Sequence, residues 1–160
     1  MTIKVGDKIP STVLQQKTAD GVQPLKTDDL FKGKRVVLFA VPGAFTPTCS
    51  AKHLPGFVQN AEALKNKGVD AIACVAVNDA FVMDAWGKSQ STEVKVLMLA
   101  DGSAHFAKAL GLDLDLMDKG LGMRSQRYAM VVKDGTVEKI FVEAPGKFEV
   151  SSAEHVLGQL

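Results

Sequence analysis

Cysteine is scarce in this chain: two residues among 160, Cys49 and Cys74. That is too few for a disulfide scaffold or for a zinc site built on cysteine pairs, and no C-x-x-C motif is present to suggest dithiol exchange. Excess charge is missing too, since the formal net charge is +1 and the longest basic block is Lys32-Gly33-Lys34-Arg35. Neither nucleic-acid binding nor attachment to a membrane surface is expected from bulk electrostatics. The most apolar run, Val36 to Phe45, is cut by Pro42-Gly43 and falls short of a bilayer span. The N-terminal residues lack the apolar core of a secretory signal, and the C-terminal Leu157-Gly158-Gln159-Leu160 fits no lipidation or peroxisomal signal, so a cytoplasmic location is expected. Repeats, low-complexity stretches and linkers are absent as well, which predicts one domain over residues 1–160.

What is present is a globular composition, 46% apolar and 23% charged. Arg35 to Val41 reads as a strand buried on both faces, and Val69 to Val77 as another. Between them Pro47 to Lys67 reads as a helix ended by Gly68. Ala80 to Lys88 reads as a helix, Val94 to Leu99 as a strand and Ser103 to Leu110 as a short helix. Tyr128–Val132 and Thr136–Val142 form a predicted hairpin across Lys133-Asp134-Gly135, and Ser151 to Leu160 a last helix capped by Ser151 or Ser152. The order implies an α/β fold, a central mixed sheet flanked by helices.

The chemistry concentrates between the first buried strand and its helix. Thr46 is placed as N-cap, Pro47 suits the first helical position, and Cys49 falls in the first turn. Unpaired N–H groups and the helix dipole there favour a thiolate, the nucleophilic form of cysteine. A small apolar residue packed under the turn is the bland alternative, and position alone does not decide between them. His53, four residues on, shares the helix face of Cys49 and reads more readily as a packed neighbour than as a group that tunes the thiolate or shuttles a proton. Pro55 removes a backbone hydrogen bond and should kink or loosen the helix. Asp113, Asp115 and Asp118 are interleaved with leucines and lack the Gly and Glu of a calcium loop, so no metal and no cofactor is expected.

Pro42, Thr46 and Cys49 together form P-x-x-x-T-x-x-C, which resembles the signature of peroxiredoxins. The longer string Val41 to Ser50, with Lys52 to Phe57, Val77-Asn78-Asp79, Phe81-Val82-Met83, Ala85-Trp86, Leu99 to Ser103 and Gly120-Leu121-Gly122, is similar to the type II, peroxiredoxin-5-like subgroup. The resemblance implies a thioredoxin-like fold and a peroxidase acting on hydrogen peroxide and organic hydroperoxides, with Cys49 as the peroxidatic thiol. It gives Thr46 a hydrogen bond to the peroxide, Pro42 the task of shielding the thiolate, and an arginine the remaining place. Arg127, abutting a strand, is favoured over Arg124 for that arginine. It further implies a homodimer, for which Phe45, Phe81 and Trp86 are candidate anchors, with plain core as the alternative.

Some members of that subgroup carry a resolving cysteine near the C-terminus, where this chain has Phe148-Glu149-Val150-Ser151-Ser152-Ala153. Cys74 lies in an apolar run, reads first as inert core and second as a resolving thiol. The expected cycle uses Cys49 alone, restored by glutaredoxin with glutathione or by thioredoxin. A non-enzymatic redox sensor would use the same Cys49 chemistry, and catalytic loss of peroxide separates the two.

Overall fold

The computed structural model describes residues 2–92 and 95–160. Seven strands form one mixed sheet. They are β1 (Val13–Thr18), β2 (Gly21–Lys26), β3 (Arg35–Ala40), β4 (Ala71–Ala76), β5 (Leu97–Ala100), β8 (Tyr128–Lys133) and β9 (Thr136–Val142), in the order β2-β1-β5-β4-β3-β8-β9. β3, β4 and β5 run parallel, and β8 lies antiparallel to β3, with Ala40 opposite Tyr128. A separate hairpin joins β6 (Asp113–Leu116) to β7 (Gly122–Ser125).

β3 is apolar at every position after Arg35 because both its faces are covered. Val37 and Phe39 pack on one side with α2 (Leu54–Gln59), α3 (Ala61–Asn66), α4 (Ala80–Ser89) and α6 (Ala153–Gly158). Val36, Leu38 and Ala40 pack on the other side with α1 (Thr27–Phe31) and α5 (His105–Leu110). Phe39 stacks on Phe57 at 4.1 Å between ring centroids and lies 4.9 Å from the His53 ring, so this core continues directly beneath Cys49. Phe39→Ala is expected to cost about 3–5 kcal/mol in urea unfolding, because the ring is wholly buried and strand atoms cannot collapse into the space.

Several boundaries differ from the sequence expectation. The β1–β2 hairpin was not anticipated, since Gln15-Gln16-Lys17-Thr18 carries little apolar signal; Pro24 is tolerated because β2 is an outer strand. The helix expected over Pro47–Lys67 is divided. A π turn, Cys49–His53, closes with Leu54 N–H bonded to the Cys49 carbonyl, and Asn60 breaks the chain again between α2 and α3. Pro55 accounts for the first irregularity, because it has no N–H to donate and its ring crowds the carbonyl four residues back. The Asp-Leu-Asp-Leu alternation is strand β6. The strand expected from Val94 begins at Leu97, and Val94 itself lies outside the described residues. The helix expected from Ser103 starts at His105, after Ala104 at φ 61°. Of the two candidate caps for the last helix it is Ser152 that accepts from His155 N–H. The Asp134-Gly135 turn has positive φ at both residues, as a two-residue hairpin requires.

Candidate active site

The carboxyl end of β3 delivers the chain into a tight loop. Val41 N–H still bonds to the Val75 carbonyl, and Ala44 N–H donates to Asn78 Oδ1. At Gly43 a Cβ would sit 3.1 Å from Arg124 Nη1 and 3.3 Å from Thr46 Cγ2, so the close approach of these side chains calls for glycine. Phe45 follows with φ 60°, a left-handed conformation uncommon for a bulky residue. The helix then begins at Pro47 and brings Cys49 under its first turn, fully buried.

Thr46 holds the position ahead of that helix, its carbonyl accepting from Ser50 N–H, but its side chain does not act as the expected cap. The hydroxyl instead donates to the Gly43 carbonyl at 2.7 Å, a bond made within reach by the tight 43–46 turn. Its proton is thereby committed, and its lone pairs are left to accept.

Arg127, between β7 and β8, is the arginine on the thiol: Nη2 donates to Cys49 Sγ at 3.1 Å. The guanidinium sets a fixed positive charge beside the sulfur. Arg124 has a different place. Its Nε donates to the Leu121 carbonyl at 2.8 Å, and its Nη1 to the carbonyls of Val77 and Pro42 at 3.3 and 3.4 Å, bracing the loop from outside.

His53 is the second partner of Arg127. Arg127 Nη1 lies 2.8 Å from Nδ1, and Nε2 lies 2.9 Å from the Ser151 carbonyl. A carbonyl only accepts, so Nε2 carries the proton and Nδ1 receives the bond from the guanidinium. Burial foremost, and then the Arg127 charge, lower the imidazole from its ordinary value near 6.5 to about 3. His53 is therefore a neutral orienting group at physiological pH, not a proton shuttle. The unfolded chain takes up a proton here between about pH 6.5 and 3 while the folded chain does not. Its contribution to stability is full above that window and lost as pH falls through it, by at most about 1.4 kcal/mol per pH unit. Urea unfolding at pH 7, 5 and 4 should show a steeper acid loss in the wild type than in His53→Leu.

Three further residues belong to the site although nothing in the sequence assigns them a part in it. Glu143, 7% exposed, directly follows β9 and gathers the N–H groups of Glu149, Val150 and Ser151 with the Ser151 hydroxyl on Oε2. Burial alone would raise its carboxyl; the Ser151 hydroxyl and the N–H groups of 149, 151 and 150 outweigh that and hold it below the usual range. Phe148 lays its ring 4.9 Å from His53 and 5.8 Å from the Arg127 guanidinium carbon. Ser50 accepts from Trp86 Nε1 at 3.0 Å, tying α4 to the Cys49 turn.

A cavity of about 280 Å³ opens beside this cluster, walled by Pro42, Thr48, Arg127, Leu114 and Pro145 among others. Cys74, on β4, is fully buried in the same apolar cluster as Cys49; burial, with the neighbouring Cys49 charge second, pushes its thiol well up. Both thiols are free. The arrangement suits one chemistry: a desolvated sulfur, an adjacent guanidinium donor and a hydroxyl acceptor can hold an O–O bond in line with Sγ and stabilise the charge passing to its far oxygen.

Known proteins agree with that geometry. The redoxin family model matches residues 4–157. Peroxiredoxin-2B of Arabidopsis thaliana is 51% identical over 159 residues, covering 99% of this chain and 98% of that protein. The crystal structure of reduced Prx3 from Vibrio vulnificus in complex with hydrogen peroxide superposes with a TM-score of 0.96 at 55% identity, covering 99% of each chain. The Plasmodium falciparum antioxidant protein, a 1-Cys peroxiredoxin, gives a TM-score of 0.91 at 28% identity over 96% of each chain. The chain belongs to the redoxin family and, within it, to the peroxiredoxins of type II: it is a thiol-dependent peroxidase with a thioredoxin-like fold.

Proposed function

We propose that Cys49 is the peroxidatic thiol and that it works without an internal partner. The Cys49 thiolate attacks the near oxygen of a hydroperoxide; the S–O bond forms as the O–O bond breaks, and the departing alkoxide or hydroxide takes a proton to leave as alcohol or water. Thr46 accepts the hydrogen bond of the peroxide O–H, Arg127 steadies the charge on the leaving oxygen, and the Pro42 ring keeps bulk water from the sulfur. The observation that carries this reading is the 3.1 Å contact between Arg127 Nη2 and a buried Cys49 Sγ. The peroxide seen with the 55% identical Prx3 and the 1-Cys designation of the Plasmodium relative support it.

The resulting sulfenic acid is reduced from outside, by glutathione with glutaredoxin or by thioredoxin, through a mixed disulfide that a second thiol resolves. Cys74 is packed core in this reading: it sits in a central strand, where moving it into disulfide geometry would break the β3–β4 and β4–β5 ladders. Peroxide turnover of wild type and Cys74→Ser, with the two reductant systems side by side, tests it. Cys74→Ser should keep turnover within about twofold. Loss of steady-state turnover in that variant, with first oxidation and fold intact, would overturn the single-cysteine cycle.

A homodimer completes the proposal. Phe45 and Phe81 are 57% and 64% exposed, far more than large apolar rings in a monomer ordinarily are, and Val13 and Val22 are exposed near Phe81 around a shared cavity. Trp86, also considered as an anchor, is fully buried core. Sedimentation at micromolar concentration should give the mass of two chains, and a strictly monomeric boundary would remove this part.

A further inference from the structure

We propose that Glu143 is a positioning residue for the peroxide step: its carboxylate holds the 149–151 turn so that the Ser151 carbonyl, acting through His53, aims Arg127 at Cys49. The proposal rests on the reading of Cys49 and Arg127 given above and adds a residue that touches neither the sulfur nor the peroxide. Oε2 of Glu143 receives Glu149 N–H at 2.8 Å, Val150 N–H at 2.9 Å, Ser151 N–H at 2.8 Å and Ser151 Oγ–H at 2.7 Å. Three successive N–H groups converging on one charged oxygen form a nest, a backbone conformation stabilised by the anion at its centre. The carbonyl leaving that nest is the acceptor for His53 Nε2 at 2.9 Å.

That contact has a consequence one bond further on. It places the imidazole proton on Nε2, so that Nδ1 is an acceptor for Arg127 Nη1 at 2.8 Å, and the other arm of the guanidinium, Nη2, is left facing Sγ. The backbone closes the circuit, because Glu143 N–H donates to the Arg127 carbonyl at 2.9 Å. Phe148, the residue ahead of the nest, covers the His53 and Arg127 side chains with its ring. Without a charged oxygen at 143 the nest loses the anion it is wrapped around. Ser151 is then free to move, and His53 no longer has a fixed tautomer or plane. Arg127 keeps its charge but loses its aim, and near-attack geometry is sensitive to displacements of an ångström.

The discriminating experiment is a double-mutant cycle on the first oxidation step, followed in stopped flow. Glu143→Gln keeps the size of the side chain and weakens the acceptor. It should slow oxidation of Cys49 by hydrogen peroxide about tenfold in the wild-type background. In an Arg127→Met background, where nothing remains to be aimed, the same change should alter the rate by less than about twofold. An undiminished rate in Glu143→Gln, or an equal loss in both backgrounds, would overturn the proposal and leave the Cys49–Arg127 reading standing. An Arg127→Met protein as fast as the wild type would overturn both. Should Glu143→Gln fail to fold, Ser151→Ala carries the same cycle. It removes one of the four donors, and its expected loss of about threefold should likewise vanish without Arg127.

Discussion

Cys49→Ser is expected to bring peroxide consumption down to the uncatalysed background, while the protein still folds and melts cooperatively. The two side chains differ by one atom, and the serine oxygen can still accept from Arg127 Nη2, so no buried donor is orphaned. The reaction is lost for a chemical reason. A serine hydroxyl is a far weaker nucleophile than a polarisable sulfur, so the attack on the O–O bond has no group left to carry it. Coupled turnover with either reductant system measures this, and urea unfolding checks the fold. Residual turnover above a few per cent would mean that a second thiol carries part of the chemistry.

Arg127→Met should slow the first oxidation by about 10²–10³-fold, the loss typical of removing one preorganised donor from a developing negative charge. Two effects combine. The positive charge beside the sulfur is gone, and no donor remains for the oxygen that leaves. Methionine retains much of the apolar stem, and Arg127 is only half-buried, so unfolding free energy should shift by only about 1 kcal/mol. Arg124→Met provides the contrast. Arg124 braces the Pro42 loop through carbonyl contacts longer than 3.2 Å and does not reach the sulfur. Its loss should cost about tenfold or less.

The parts of the fold that could be read in the sequence are those where burial dictates composition. β3 and β4 are covered on both faces and are unbroken apolar runs, and the Asp134-Gly135 turn declares its own hairpin. The β1–β2 hairpin escaped for the converse reason: half its residues face solvent, so polar side chains occupy strand positions. The π turn at Cys49 has no periodic signature, although Pro55 marked the place where regular helix bonding fails. At the site, Pro42, Thr46 and Cys49 lie within one loop and one turn, and local sequence suffices to find them. Arg127 is distant along the chain and entered through family resemblance and its place before a strand. Glu143 carried no signal and Ser151 only that of a possible helix cap, because the backbone N–H groups and the backbone carbonyl that link them to His53 leave no side-chain pattern. His53 was noticed by its spacing, but only its two ring contacts make it an orienting group.

The central claim is that peroxide attacks at Cys49 and nowhere else, and it has one direct measurement. Reduced protein is treated with one equivalent of hydrogen peroxide in the presence of dimedone, digested, and the sulfenic acid adduct is located by mass spectrometry. The lone Trp86, bonded to Ser50 beside the reacting turn, gives the rate of the same event by fluorescence. The adduct should lie on Cys49, leave Cys74 unmodified, and appear at the rate of the fluorescence change. An adduct on Cys74, or a Cys49→Ser protein that traps dimedone as fast as the wild type, would contradict the account.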